Sequence, residues 1–134
     1  MGLLAIILVL ILIQYLFFGM KVGGARMKFG VKAPAISGHP EFERHYRVQQ
    51  NTLEQLIIFI PLYIIFAIMA ESQGWMGYEI ASGLGVLWII GRFVYSASYV
   101  KDPDSRGKGF MIGFLAIVIL LVGTLAASIM SLIG

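Results

Sequence analysis

Four runs of apolar residues punctuate this chain: Leu3–Met20, Val48–Ala70, Ile80–Val100 and Phe110–Ile133. At a rise of 1.5 Å per residue, roughly twenty residues cross the hydrocarbon core of a bilayer, and each run meets or approaches that length. The pattern predicts an all-α integral membrane protein, a bundle of four transmembrane helices forming one domain over residues 1–134. No soluble domain, long repeat or low-complexity linker interrupts it.

The second run is preceded by polar residues that do not stop cleanly. In EFERHYRVQQNTLEQL, Arg44, Arg47, Asn51 and Glu54 fall three or four apart, which places them on one helical stripe. Helix two is therefore expected to begin near Glu41, after the helix-breaking SGHP, and to run to Ala70, about 45 Å. Its first two turns would stand outside the bilayer, and Pro61 would kink it within. Small residues four apart, Ala81 and Gly85, Gly109 and Gly113, Gly123 and Ala127, permit close helix approach.

The charges orient the bundle. Lys21, Arg26, Lys28, Lys32, Arg44 and Arg47 lie in or beside the first loop, and Lys101, Arg106 and Lys108 in the third. The second loop, ESQGWMGYE, has Glu71 and Glu79 and no basic residue. The positive-inside rule puts loops one and three in the cytoplasm and both termini on the opposite side.

Composition narrows the chemistry. With 59% apolar and 13% charged residues the chain lies outside the soluble globular range. The net charge of +3 reflects loop orientation, and no nucleic-acid module is visible. There is no cysteine, which excludes disulfides, thiolate metal sites and a protein-borne thiol nucleophile. Any sulfur chemistry must enter with a substrate. The opening MGLLAIILVLILIQYLFFGMK has no basic start or small-residue cleavage site and reads as a retained span. Ile6 breaks the myristoylation pattern.

The polar residues that enter the membrane carry the functional signal. With the boundary near Arg47 and Tyr99, Glu54 and Arg92 each lie seven residues inward, about 10 Å deep. Opposite charges at matching depth predict either a packing pair or a shared ligand. Tyr95 and Tyr99 share the stripe of Arg92. Arg47, Asn51 and Arg106 surround the same mouth, which a packing pair leaves unexplained. Arginines select carboxylates or phosphates, a glutamate selects an ammonium, and Gln49, Asn51 and the tyrosines add neutral hydrogen bonds. A small zwitterion with more than one carboxylate fits; an anionic lipid head group is the alternative. His39 and His45, in HPEFERH, are six residues apart on nearly opposite helix faces, and no metal is expected there.

GHPEFERHYRVQQNTLEQL and the helix-three RFVYSASY leading to Arg106 also resemble the signatures of the MAPEG family. These are membrane-associated proteins in eicosanoid and glutathione metabolism, among them microsomal glutathione transferases and leukotriene C4 synthase. The resemblance covers nearly the whole chain. It implies a four-helix bundle assembling as a homotrimer, with glutathione bound between subunits near the cytoplasmic side. It maps glutathione-binding arginines onto Arg26 and Arg47, amide contacts onto Gln49 and Asn51, the acidic contact onto Glu54, and helix-three tyrosines onto Tyr95 and Tyr99. The thiolate-stabilising arginine falls on Arg106. Arg92 joins the binding set from its depth, and Tyr95 joins Arg106 as a candidate catalytic group. Two positions depart from the leukotriene synthase branch: Met27 replaces an arginine and Gln55 a tyrosine. Leukotriene synthesis itself is therefore not expected.

The expected function is a glutathione transferase, with glutathione as co-substrate and a hydrophobic electrophile or lipid as second substrate. Lipid hydroperoxide reduction is a second expected activity, and a bacterial inner membrane the expected location. A non-catalytic lipid-binding scaffold is the main alternative, and a proton or ion conductor built on Glu54 and Arg92 the lesser one.

Overall fold

The computed structural model describes all residues from Met1 to Gly134. Four long helices account for nearly the whole chain: α1 (Gly2–Phe29), α2 (Pro40–Ser72), α3 (Gly77–Lys101) and α4 (Gly107–Ile133), with a 3₁₀ turn at Pro103–Ser105 before α4. All four spans are long and apolar enough to cross a membrane.

Helix α1 runs past the expected end at Met20 to Phe29. Hydropathy detects where a helix leaves lipid, not where it stops, and the basic KVGGARMKF continues the helix. Val22 and Ala25 on this extension pack with Val31 and Phe42. Gly30 ends α1 in the left-handed region, at φ 67°, a conformation a Cβ would penalise. Helix α2 starts one residue before expectation. Pro40 occupies its first turn, His39 Nδ1 accepts the Glu41 N–H at 3.2 Å, and Glu41 and Glu43 face the positive helix end. The helix continues without a break through Pro61 to Ser72, about 50 Å of rise.

Neighbouring helices run antiparallel. Near the start of α2, Arg44 donates to the carbonyls of Val100 and Lys101 at the end of α3. Toward its other end, the Tyr63 hydroxyl donates to the Leu4 carbonyl at the start of α1, at 3.0 Å. The core between them is aromatic and aliphatic: Phe59 stacks on Trp88 at 4.8 Å, beside Ile11, Tyr63, Ala116 and Leu120. Outward-facing positions such as Leu3, Ile57, Ile90 and Leu125 are exposed aliphatics, the surface that a membrane or another copy of the chain covers.

Helix α4 lies against the end of α3 at unusually close range. A Cβ on Gly109 would collide with the backbone of Tyr95 and Val94, and one on Gly91 would lie 2.7 Å from the Gly113 nitrogen. The glycine spacing expected to bring helices together does so here, and it sets the height of Tyr95.

Candidate functional site

At the end of the bundle where α2 begins, α3 ends and α4 begins, a cavity of about 390 Å³ opens outward. Arg47 and Asn51 reach it from α2, Tyr95 and Tyr99 from α3, and Arg106 and Phe110 from the start of α4. On α2 the four-residue step aligns Arg47 with Asn51. Glu54, one turn deeper on that face, lies 3.6 Å from Arg47; both side chains are more than half exposed. Such a pair holds little energy by itself, so either partner is free to turn to a ligand.

The same four-residue step on α3 stacks the rings of Tyr95 and Tyr99, 5.6 Å apart and 13° from parallel. Tyr95 is almost fully buried. Arg106 is exposed, with its guanidinium 5.9 Å from the Tyr99 ring. The short loop before it is pinned: Asp102 accepts the Asp104 N–H, and the Ser105 hydroxyl donates to the Asp102 and Ser98 carbonyls. DPDS therefore fixes where Arg106 leaves α3, although no sequence signal singled it out.

Of the two readings of Glu54 and Arg92, a packing pair or a shared ligand, the structure does not form the pair. Arg92 is fully buried, and its Nη2 donates to Thr52 Oγ1 at 2.7 Å. Thr52 in turn donates to the Val48 carbonyl, also at 2.7 Å. Glu54 stands close to Thr52 in height, but residues 52 and 54 differ by about 200° around the helix. Thr52 faces α3 while Glu54 faces outward with Arg47. Arg92 is therefore not on the wall of the cavity. It lies beneath it, 4.2 Å from the Tyr95 ring centroid, and holds that ring from below. Thr52, the partner that makes this arrangement possible, was missed. The available signal was that a buried arginine needs a neutral acceptor when no carboxylate shares its azimuth.

Two more predicted residues lie elsewhere within a single chain. Arg26 donates to the Ala35 carbonyl at 2.6 Å and to Val31 at 3.4 Å, and it covers the Phe42 ring, bracing the first loop. The Gln49 side chain faces α1, with Nε2 3.0 Å from where a Cβ on Gly19 would be. Arg26 and Gln49 thus belong to the α1 side of α2, and Arg47 and Asn51 to the α4 side. Asn51 Oδ1 is buried without a partner in the chain. His39 caps α2 and stacks on Phe29 at 3.7 Å, and no three of the chain's histidines and carboxylates converge as a metal site would require.

Residues 4–126, nearly the full length, match the MAPEG family. The chain belongs to this family. Among MAPEG relatives, an uncharacterized protein of Synechocystis is 42% identical over 90% of this chain and 84% of its own length. Microsomal glutathione S-transferase 2 of Homo sapiens is 40% identical over 89% of this chain and 78% of its own. Leukotriene C4 synthase of Bos taurus is 32% identical over 78% and 66%. The two departures from the synthase branch have different surroundings in this MAPEG chain. Met27 is almost fully exposed at the end of α1. Gln55 is buried, with Oε1 3.7 Å from where a Cβ on Gly113 would be, so it faces α4 below the cavity and does not line it.

Proposed function

We propose that this protein is a membrane glutathione transferase, a single MAPEG domain that activates the glutathione thiol for attack on hydrophobic electrophiles. The observation that carries the reading is the convergence of Arg47, Asn51, Tyr95, Tyr99 and Arg106 from three helices on one cavity. Glutathione brings two carboxylates, an ammonium and a thiol. Arg47 meets a carboxylate, Glu54 the ammonium, and Asn51 an amide N–H through its unpartnered Oδ1. Arg106, the exposed cation at the mouth, takes the sulfur end, with the Tyr95 hydroxyl as a hydrogen-bond donor.

A free thiol of the cysteine type ionises near pH 8.5 and is mostly protonated at pH 7. Lowering its pKa by about two units requires roughly 2.7 kcal/mol, within reach of one well-placed guanidinium. The proton leaves to solvent through the open mouth. The thiolate then forms a carbon–sulfur bond to an electrophile arriving from lipid, and the leaving group departs with the bonding pair. With a lipid hydroperoxide, two glutathiones become the disulfide, while the O–O bond breaks to give an alcohol and water.

Arg26 and Gln49 join this reading through a second copy of the chain. They lie on the opposite side of α2 from the cavity, so one ligand contacts both groups only where two subunits meet. A homotrimer satisfies this for every subunit, since its head-to-tail interface closes. The basic end faces the cytoplasm, and the protein resides in a bacterial inner membrane. Purified protein in mild detergent should conjugate glutathione to an aryl halide with saturable dependence on glutathione. Glutathione binding without turnover above the uncatalysed rate would make it a non-catalytic scaffold.

A further inference from the structure

On the face opposite the glutathione cavity, α1 and α3 leave a groove whose chemistry changes along its length. Phe93 and Ala97 line it, whereas Tyr95, about 200° away around α3, points into the other cavity. The outer part is an open cavity of about 700 Å³. Lys21, Arg44 and Lys101 border it, with Glu41 as its only carboxylate. Arg44 is already engaged with the carbonyls that end α3. Neither lysine has an acidic partner, because the one ion pair in the chain joins Arg47 to Glu54, and Lys21 Nζ lies 5.3 Å from the centroid of the Phe17 ring. Phe17 and Phe93 form the floor of this part, edge to face at 6.2 Å.

The same two phenylalanines also line a second cavity of about 320 Å³, deeper in the membrane, which extends to Leu10 and Ile89. The two cavities therefore form one groove, cationic at the water boundary and almost wholly apolar below. From Lys21 to Leu10 is about 16 Å along α1, close to half the thickness of a bilayer's hydrocarbon core. A single leaflet has this order of charge and apolar length.

We propose that this groove is a binding site for an anionic phospholipid, with the phosphate between Lys21 and Lys101 and an acyl chain over Phe17 and Phe93. The charge balance selects the occupant. A zwitterionic head group would bring an ammonium toward two unpaired lysines, and a second protein copy would have to supply an acidic patch. The outward faces of this chain offer aliphatic residues instead. Basic residues at the membrane surface favour anionic lipid, and two of them change the preference by about tenfold or more.

The test is native mass spectrometry of the full-length protein from nanodiscs containing equal phosphatidylglycerol and phosphatidylcholine. The native chain should retain phosphatidylglycerol about tenfold over phosphatidylcholine. Lys21→Gln/Lys101→Gln should bring the ratio close to one with an unchanged melting temperature, since both side chains are exposed. Ala97→Trp should reduce retention of both lipids by filling the groove. If it does not fold, the double lysine variant decides alone. Equal retention of the two lipids by the native chain would overturn the proposal, as would an unchanged ratio in the double variant. Displacement of the lipid by millimolar inorganic phosphate would reduce the groove to an anion site. Loss of the preference in Arg106→Ala alone would place the lipid in the other cavity.

Discussion

Two arginines two helical turns apart in height show how differently one side chain can be used in this bundle. Arg92 is fully buried, clamped to Thr52 and stacked under Tyr95. Arg106 is exposed, its side chain makes no hydrogen bond, and it follows a loop pinned by Asp102 and Ser105. A buried guanidinium held by a neutral hydroxyl and an aromatic face supports its surroundings. One that is free at the mouth of a cavity can follow a charge that develops there. On the proposed function, this contrast gives the thiolate chemistry to Arg106 and a positioning role to Arg92.

Removing the free arginine should have the largest effect. Arg106→Ala should lower turnover at pH 7 about a hundredfold, as the glutathione thiol returns to its pKa in water. Affinity for total glutathione should fall only modestly, because Arg47, Asn51 and Glu54 remain. Activity should recover in part toward pH 9, where the thiol ionises unaided. A thiol pKa held down by the cation gives its advantage below the unperturbed value and loses it above. Wild-type turnover at pH 7 would remove Arg106 from the mechanism.

Arg92→Gln should cost less, about tenfold in turnover with little change in KM for glutathione, because Tyr95 loses the cation beneath its ring. Arg92→Lys should restore part of it. A packing role alone would lower the melting temperature and leave turnover per folded protein unchanged. Glu54→Gln should weaken glutathione binding about fivefold by removing the counter-charge to the ammonium, with no loss of stability, since the Arg47–Glu54 pair is exposed. Isothermal titration and thermal melting of the same samples separate these outcomes.

A smaller effect tests the two-sided use of α2. At a glutathione concentration low enough that Arg26→Ala alone is poorly loaded, Arg26→Ala and Arg106→Ala subunits coexpressed equally should recover up to about a quarter of native activity, by random mixing in a closed ring. No recovery would confine the site to one chain.

Much of this arrangement was legible because membrane helices obey two simple periodicities. Run length gave the four spans, and steps of three or four gave the faces on which Arg47 meets Asn51 and Tyr95 meets Tyr99. What escaped was angular or local. Glu54 and Arg92 share a depth but not a direction, which only the packed bundle defines. Arg26 and Gln49 fall on the far side of α2, since a motif read along the chain does not say which of its residues face one cavity. The extension of α1 to Phe29 was hidden because it is a helix without being a span. The DPDS turn that aims Arg106 has no periodicity at all.

The proposed chemistry requires that this protein bind glutathione and ionise its thiol. Ultraviolet difference spectroscopy of the purified protein with glutathione at pH 7 measures that directly. A thiolate absorption band should appear, saturate with glutathione and be lost in Arg106→Ala. A native protein that binds glutathione with no thiolate band at neutral pH would contradict the proposed chemistry.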